Sequence, residues 1–554
     1  MPLLRLVIDM KQKQIEIKII YGFTLALFAV FLLVPISSLL LKSFQGLNGN
    51  FTLENYTNIF ATKGFADALS HSFIVSMSSG LVSVVLAFLL AYTVNYTRAP
   101  KIIRKLIHLT ASLPMLLPTI TYGFAILYSF GKQGLLTKLF GFQLFEIYGF
   151  NGLMIGYVIY TLPIAYMLIN NAMQYIDKKY ITVSKLMKDN NFQTFKVTLL
   201  RPLVGTFAAA FIQAFFLSFT DFGIPASLGG QYHVISSLLY TYMLGSIPSF
   251  AKGAVIAMVM LIPSIISILL LHYFERYNVR YNKVSIIDLH KNKMRDGVFM
   301  GMSSLICIAV LSIFAVIFLM PFVVQWPYKM EFTMQHFQNV FMDPNLLAVY
   351  KNSLFVAIAS SLVGTIVAYG ASLVSARSKL KNRHKKTVES IALVTNTIPG
   401  MVIGISYLFI FTGTSLQNTF LIMIVCNVVH FFSTPYLMIK ETLNKMNASF
   451  ETTAKLMKDS WFQTLRRVIT PNAMSALLEV FSYYFVNSMV TISAIIFIAG
   501  ARTMVITTKI KELQYFAKFN EIFVLSLLIL FTNLAAKGLF NYFIKKRKRG
   551  ESKK

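Results

Sequence analysis

The chain has 554 residues, of which 56% are hydrophobic and only 13% charged, with a mean hydropathy of +0.65. A soluble surface needs roughly twice that charge, so the main solvent is lipid. A net charge of +30 then belongs to the cytoplasmic loops of a membrane protein rather than to nucleic-acid binding, and two cysteines in apolar runs, Cys307 and Cys426, exclude a disulfide framework or a cysteine metal site.

About 20 mostly apolar residues cross a bilayer as a helix, and twelve such runs are expected: 19–41, 71–97, 106–130, 148–174, 203–224, 250–273, 299–325, 352–376, 387–412, 418–439, 473–499 and 521–544. The first is too long for a signal-peptide core and lacks a small-residue cleavage site after it, so it is read as a retained anchor. With both termini inside, the cytoplasmic segments 1–18, 98–105, 175–202, 274–298, 377–386, 440–472 and 545–554 hold 39 of the 51 Lys and Arg, as the positive-inside rule requires. The expected fold class is an all-α polytopic membrane protein of twelve transmembrane helices. The basic run Lys545–Arg549 suits anionic headgroups of membrane lipid.

The chain repeats itself. Residues 51–60 (FTLENYTNIF) align with 332–341 (FTMQHFQNVF), and the same shift of 281 carries Ser72 to Ser353, Pro118 to Pro399 and Gly123 to Gly404. Further on, Lys185-Leu186-Met187-Lys188-Asp189 recurs as Lys455-Leu456-Met457-Lys458-Asp459, and eight of ten positions across 185–194 are identical to their counterparts. Six spans per copy give both copies the same orientation, a parallel repeat, with halves 1–296 and 297–554 joined in the charged stretch Arg276–Arg295. The strongest match is polar and cytoplasmic, and a duplicated inner loop calls for a duplicated partner. In the second copy Ala454, Met457, Trp461 and Leu465 share one stripe of a helix, read as a short amphipathic helix closed by Pro471; the first copy is closed by Pro202.

These loops, 181–202 and 449–471, resemble the EAA motif of binding-protein-dependent ABC importer permeases: Glu-Ala-Ala, a Gly four residues on, and a Leu-Pro about a dozen further. Glu451-Thr452-Thr453, Leu456-Met457 and Val468-Ile469-Thr470-Pro471 carry the resemblance. The departures are Ile181 in place of the first Glu, and Met187 and Met457 in place of the Gly. With its span count and repeat, the chain looks like the fused double permeases (type I) of the ferric-iron, 2-aminoethylphosphonate and spermidine-putrescine importers of the bacterial plasma membrane. The resemblance implies two coupling loops, with Lys185, Leu186, Met187, Asp189, Glu451, Leu456, Met457 and Asp459 meeting two copies of an ABC ATPase. No G-x-x-x-x-G-K-[ST] loop occurs, so this chain is expected to be no enzyme and to bind no cofactor, ATP being used by the partner. Nor is any soluble region large enough to capture a solute, which implies an extracytoplasmic solute-binding protein. An ion-coupled secondary transporter also suits twelve spans but gives no reason for matched docking loops.

Polar groups in spans are costly and usually face a cavity. The candidate translocation residues are Gln213, Ser218 and Asp221, set against Ser482, Asn487 and Val490, with Thr491 beside them; Pro118 and Pro399 break the third spans and free carbonyls that water can meet. Asp221 has a second reading, as a helix cap. The stretch Thr220-Asp221-Phe222-Gly223-Ile224-Pro225, with Leu228-Gly229-Gly230, resembles 2-aminoethylphosphonate permeases, making a phosphonate the expected solute, with ferric iron or a polyamine as alternatives.

Overall fold

A computed structural model describes residues 2–46, 48–275, 277, 292–447, 449–457 and 459–551; the expected join at Arg276–Arg295 lies largely outside them. The described residues are mostly helical, and their one sheet is a small antiparallel hairpin, Val323–Gln325 with Lys329–Phe332. Eight helices are long and apolar enough to cross a membrane, and three further pairs of helices, bent at a break, bring the candidate spans to eleven. The run expected at 473–499 does form a helix, Thr470–Val490, but Asn472, Glu479, Ser482 and Asn487 dilute its apolar content and it stays outside that set.

Two of the breaks are proline breaks in the third span of each repeat. A residue before proline is driven out of the α region. Leu117 and Ile398 accordingly turn extended, at φ −126°, ψ 149° and φ −92°, ψ 119°, and the helices on either side meet at 114° and 100°. The Tyr122 hydroxyl donates to Leu117 O at 3.0 Å and also to Pro114 O, so carbonyls released by the first break find a partner. The third break, 55° between Phe420–His430 and Ser433–Lys445, is one that span-counting misses. A helical Pro435 would press on the Phe431 carbonyl four residues back, and the chain departs from the helix there.

Pro202 and Pro471 do not close helices, as their positions suggested. Each sits in the first turn of a long helix, Arg201–Thr220 or Thr470–Val490, directly after a π-helical turn, Lys196–Leu200 or Leu465–Ile469. The wider turn has already dropped the ordinary i→i−4 ladder, so a missing N–H costs little there.

Packing does not follow the boundary at 296/297. One compact unit comprises Met1–Ser43, Met342–Lys509 and Leu528–Lys554; the other comprises Phe44–Phe341 and Ile510–Leu527. The lead helix of each sequence half has changed places. In the first unit Tyr407 donates its hydroxyl to Phe31 O (2.6 Å), and the Phe28 ring packs tilted against Phe432 with centroids 4.5 Å apart. In the second, Thr93 and Ser303 share a hydroxyl hydrogen bond of 2.6 Å, and Phe299 lies 4.2 Å from Tyr92, ring to ring.

Candidate functional site

Each unit carries a cluster at the end of its fifth-span helix, Arg201–Thr220 or Thr470–Val490. In the Phe44–Phe341 unit the helix stops at Thr220 and the chain turns back as the short helix Gly223–Leu228. This segment packs on the half-helix Thr119–Phe130 that follows the proline break. The approach needs glycine: a Cβ on Gly223 would fall 2.2 Å from Thr119 Oγ1 and 2.6 Å from Ile120 N, and one on Gly123 1.6 Å from Ser227 Oγ. Asp221 sits at the turn, buried. Its Oδ1 accepts the Thr119 hydroxyl at 2.7 Å and its Oδ2 the Ile224 N–H at 2.9 Å. The carboxylate thus caps the short helix and ties it to the residue beyond Pro118, which is the geometry of the second reading of Asp221.

The Met342–Lys509 unit repeats the scaffold with other side chains. Gly400 and Gly404 of the half-helix Gly400–Phe411 lie against Ser493 and Ala494; a Cβ on Gly404 would meet Ala494 O at 2.3 Å. Hydroxyl-to-backbone bonds recur in register. Ser72 Oγ accepts the Ile235 N–H (2.7 Å) and Ser353 Oγ the Ile506 N–H (2.8 Å). Ser236 donates to Asp221 O (2.7 Å), and Thr507 to Thr491 O (2.9 Å). These bonds make Thr491, not Val490, the counterpart of Asp221, because Thr470–Val490 is one residue longer than Arg201–Thr220.

The remaining pathway candidates divide. Ser218 accepts a hydrogen bond from Ser79 (3.2 Å), a helix–helix contact, and Asn487 Nδ2 donates to Tyr483 O on its own helix (2.8 Å). Gln213 and Ser482 are half-buried on the matching fifth-span helices, and Pro118 and Pro399 are buried at the breaks.

On the loops, the single helix expected through 454–465 is two. Ser449–Leu456 ends, and Trp461–Thr464 starts afresh under a capping box of Ser460 and Gln463. The first loop does the same, with Lys179–Leu186, then Asn190 capping Gln193 N at 2.7 Å. Helix Lys179–Leu186 closes with the Asp189 N–H on Ser184 O (3.1 Å) and Lys188 left-handed at φ 60°; the Asp459 N–H reaches Ala454 O alike (2.9 Å). The left-handed residue is one beyond Met187, which explains why Met187 need not be glycine. Asp189 accepts the Ser184 hydroxyl at 2.6 Å, and Asp459 lies 3.7 Å from Arg467, so both aspartates hold their own loops. Lys185 stays exposed. The turn places Leu186 (79% exposed) and Met187 (73%), like Leu456 (80%) and Met457 (72%), at a bare apolar tip. Glu451 lies instead against Arg377, 3.5 Å away.

The family described as binding-protein-dependent transport system inner membrane component matches residues 83–278 and again 368–549. A Haemophilus influenzae protein named as a ferric transport system permease is 26% identical over 86% of this chain and 77% of its own length. A ferric transport system permease protein of Actinobacillus pleuropneumoniae is likewise 26% identical, over 87% of this chain and 71% of its own. A thiamine transport system permease protein of Haemophilus influenzae is 24% identical, over 66% and 68%.

Proposed function

The chain belongs to the binding-protein-dependent transport system inner membrane components, as a fused double permease, and on that premise we propose that its two halves form a solute path driven by two separate ATPases. The family implies an ATPase and a solute-binding partner, and makes the chain a multi-pass protein of the inner membrane. The observation that carries the proposal is the duplicated tip: four large apolar side chains, Leu186, Met187, Leu456 and Met457, presented to solvent by two loops of the same construction. Exposed apolar residues on a cytoplasmic loop cost solubility unless a partner covers them. The ATPases supply that cover and the ATP chemistry; this chain holds no cofactor. In this reading both termini are cytoplasmic, Thr470–Val490 supplies the twelfth crossing, and the half-helices after Pro118 and Pro399, with Gln213, Ser218, Ser482, Asn487 and Thr491, border the path.

The test combines Leu186→Asp with Leu456→Asp. Loss of ATPase co-purification and of uptake, with the permease still inserted and monodisperse, is the expected result; retention of both removes the loops from coupling. Cysteines at Asn48 and Lys546 should label from opposite sides of the membrane.

Two solutes stand level. The ferric permeases are relatives over most of the chain, whereas the segment Thr220–Gly230 favours a phosphonate such as 2-aminoethylphosphonate. Uptake by vesicles supplied with the cognate binding protein, comparing ferric iron with 2-aminoethylphosphonate and a polyamine, separates them.

A further inference from the structure

The two loops share a backbone, but the pair Arg377 and Glu451 occurs only in the second half. Arg377 is the last residue of the long helix Pro344–Arg377, and Glu451 lies in the first turn of Ser449–Leu456. A cation is favoured at a helix C-terminus and an anion at an N-terminus, so each side chain already suits its own helix end before the two meet. They meet at 3.5 Å, Nη1 to Oε1, with the Arg377 side chain 8% exposed and that of Glu451 22%. The contact is otherwise thin. Among the described residues Arg377 Nε and Nη2 and Glu451 Oε2 are buried without a hydrogen-bond partner, so little else at this spot fixes either group. At the same repeat positions the first half has Tyr96 and Ile181, which cannot make an ion pair. There Lys178 lies over the Tyr96 ring at 5.3 Å and donates to Asn95 O at 2.8 Å, a contact made from the linker before the loop helix rather than from the helix itself.

We propose that Arg377 is the positioning residue of the second coupling loop, holding it through Glu451. A buried pair loses much when one partner is removed, because the other charge remains in a poorly solvated place. Removing either side chain frees the second loop and leaves the first as it was. The inference rests on the coupling role of the loops only for its consequence; the clasp itself belongs to this chain.

The test uses the purified full-length permease without ATPase, carrying a spin label at the exposed Thr453 or, as the control, at Val183, its repeat counterpart. Arg377→Ala and Glu451→Gln should each raise the mobile population at 453 about tenfold, the shift that accompanies roughly 1.4 kcal/mol, and leave 183 unchanged. Arg377→Lys, which can still make a single contact, should keep most of the order. The exchange Arg377→Glu with Glu451→Arg should restore order that either reversal alone destroys. If the singles leave the label at 453 ordered, or the exchange is as mobile as the singles, the clasp is overturned; an equal response at 183 also overturns it. Should Arg377→Ala fail to fold, Glu451→Gln and the exchange still decide. Solute-driven ATP hydrolysis of the reassembled complex is read in parallel. A restored label without ATPase binding in wild-type or exchanged protein would defeat the coupling role alone, whereas binding with no label response would defeat the clasp alone.

Discussion

The cluster around Asp221 and the one around Thr491 occupy equivalent places and are held differently. Both rest on glycine contacts at the half-helix after a proline break, and both use a hydroxyl to hold a main-chain group: Ser72 with Ser353, Ser236 with Thr507. Only the first adds a buried carboxylate, accepting from Thr119 and Ile224. Backbone bonds ask only for a small hydroxyl at the right depth, so they survive duplication. A charge needs its own set of donors, and that set exists on one side alone. The loop-bearing ends differ by the same logic, with an Arg377–Glu451 pair in one unit and Lys178 on a carbonyl and a ring in the other.

The largest effect should come where the halves agree. Gly223→Ala and Gly404→Ala each drive a Cβ onto backbone atoms, and each should cost about 3 kcal/mol or more, seen as a fall in the melting temperature of the detergent-solubilised permease. Tolerance of one and not the other would mean the clusters are not equivalent.

Next, Asp221→Ala leaves the Ile224 N–H and the Thr119 hydroxyl buried without their acceptor, a loss of about 2 kcal/mol, whereas Thr491→Ala should stay within about 0.5 kcal/mol. Asp221→Asn keeps an acceptor for the cap and should transport nearly as the wild type does. If Asn folds normally but transport collapses, the negative charge itself serves the path.

Smaller and paired, Ser72→Ala and Ser353→Ala should each lose about 1 kcal/mol in the same melting assay; a twofold disparity would show that the repeated bonds bear unequal loads.

The smallest effect concerns pH and only the loop-bearing end of the first half. Burial, helped by the charge of Arg104, pulls Lys178 below the ordinary lysine value of 10.5. The folded state then binds this proton less tightly than the unfolded chain does. Stability is therefore reduced while Lys178 is charged in both states, and recovers as pH rises from its lowered value toward 10.5. Lys178→Gln should flatten that alkaline rise in melting temperature, and Arg377→Gln should not.

Much of this protein is legible in its residues. Eight of the twelve expected spans coincide with single helices long and apolar enough to cross a membrane, and three more with bent pairs that count as spans if each pair is one; Pro118 and Pro399 mark two breaks; the recurrence of 185–194 locates both loops. These are consequences of short-range chemistry: lipid accepts only saturated backbone, and proline constrains the residue before it wherever it occurs. The apolar stripe through 454–465 suggests one helix because it continues across the place where Ser460 and Gln463 form a stronger local signal, a capping box that starts a new helix. What only the tertiary structure decided is longer in range. The spanning parts of both lead helices are strongly apolar, so hydropathy cannot say which core each joins, and the exchange of 1–43 with 293–322 between the two sequence halves leaves no trace in either segment. Nor can spacing tell a carboxylate aimed at a path from one aimed at a neighbouring N–H. Asp221 became a cap because the chain folds back at Gly223 and brings Thr119, 102 residues away, to 2.7 Å, and a contact of that separation is set by how helices pack, not by the residues that flank it.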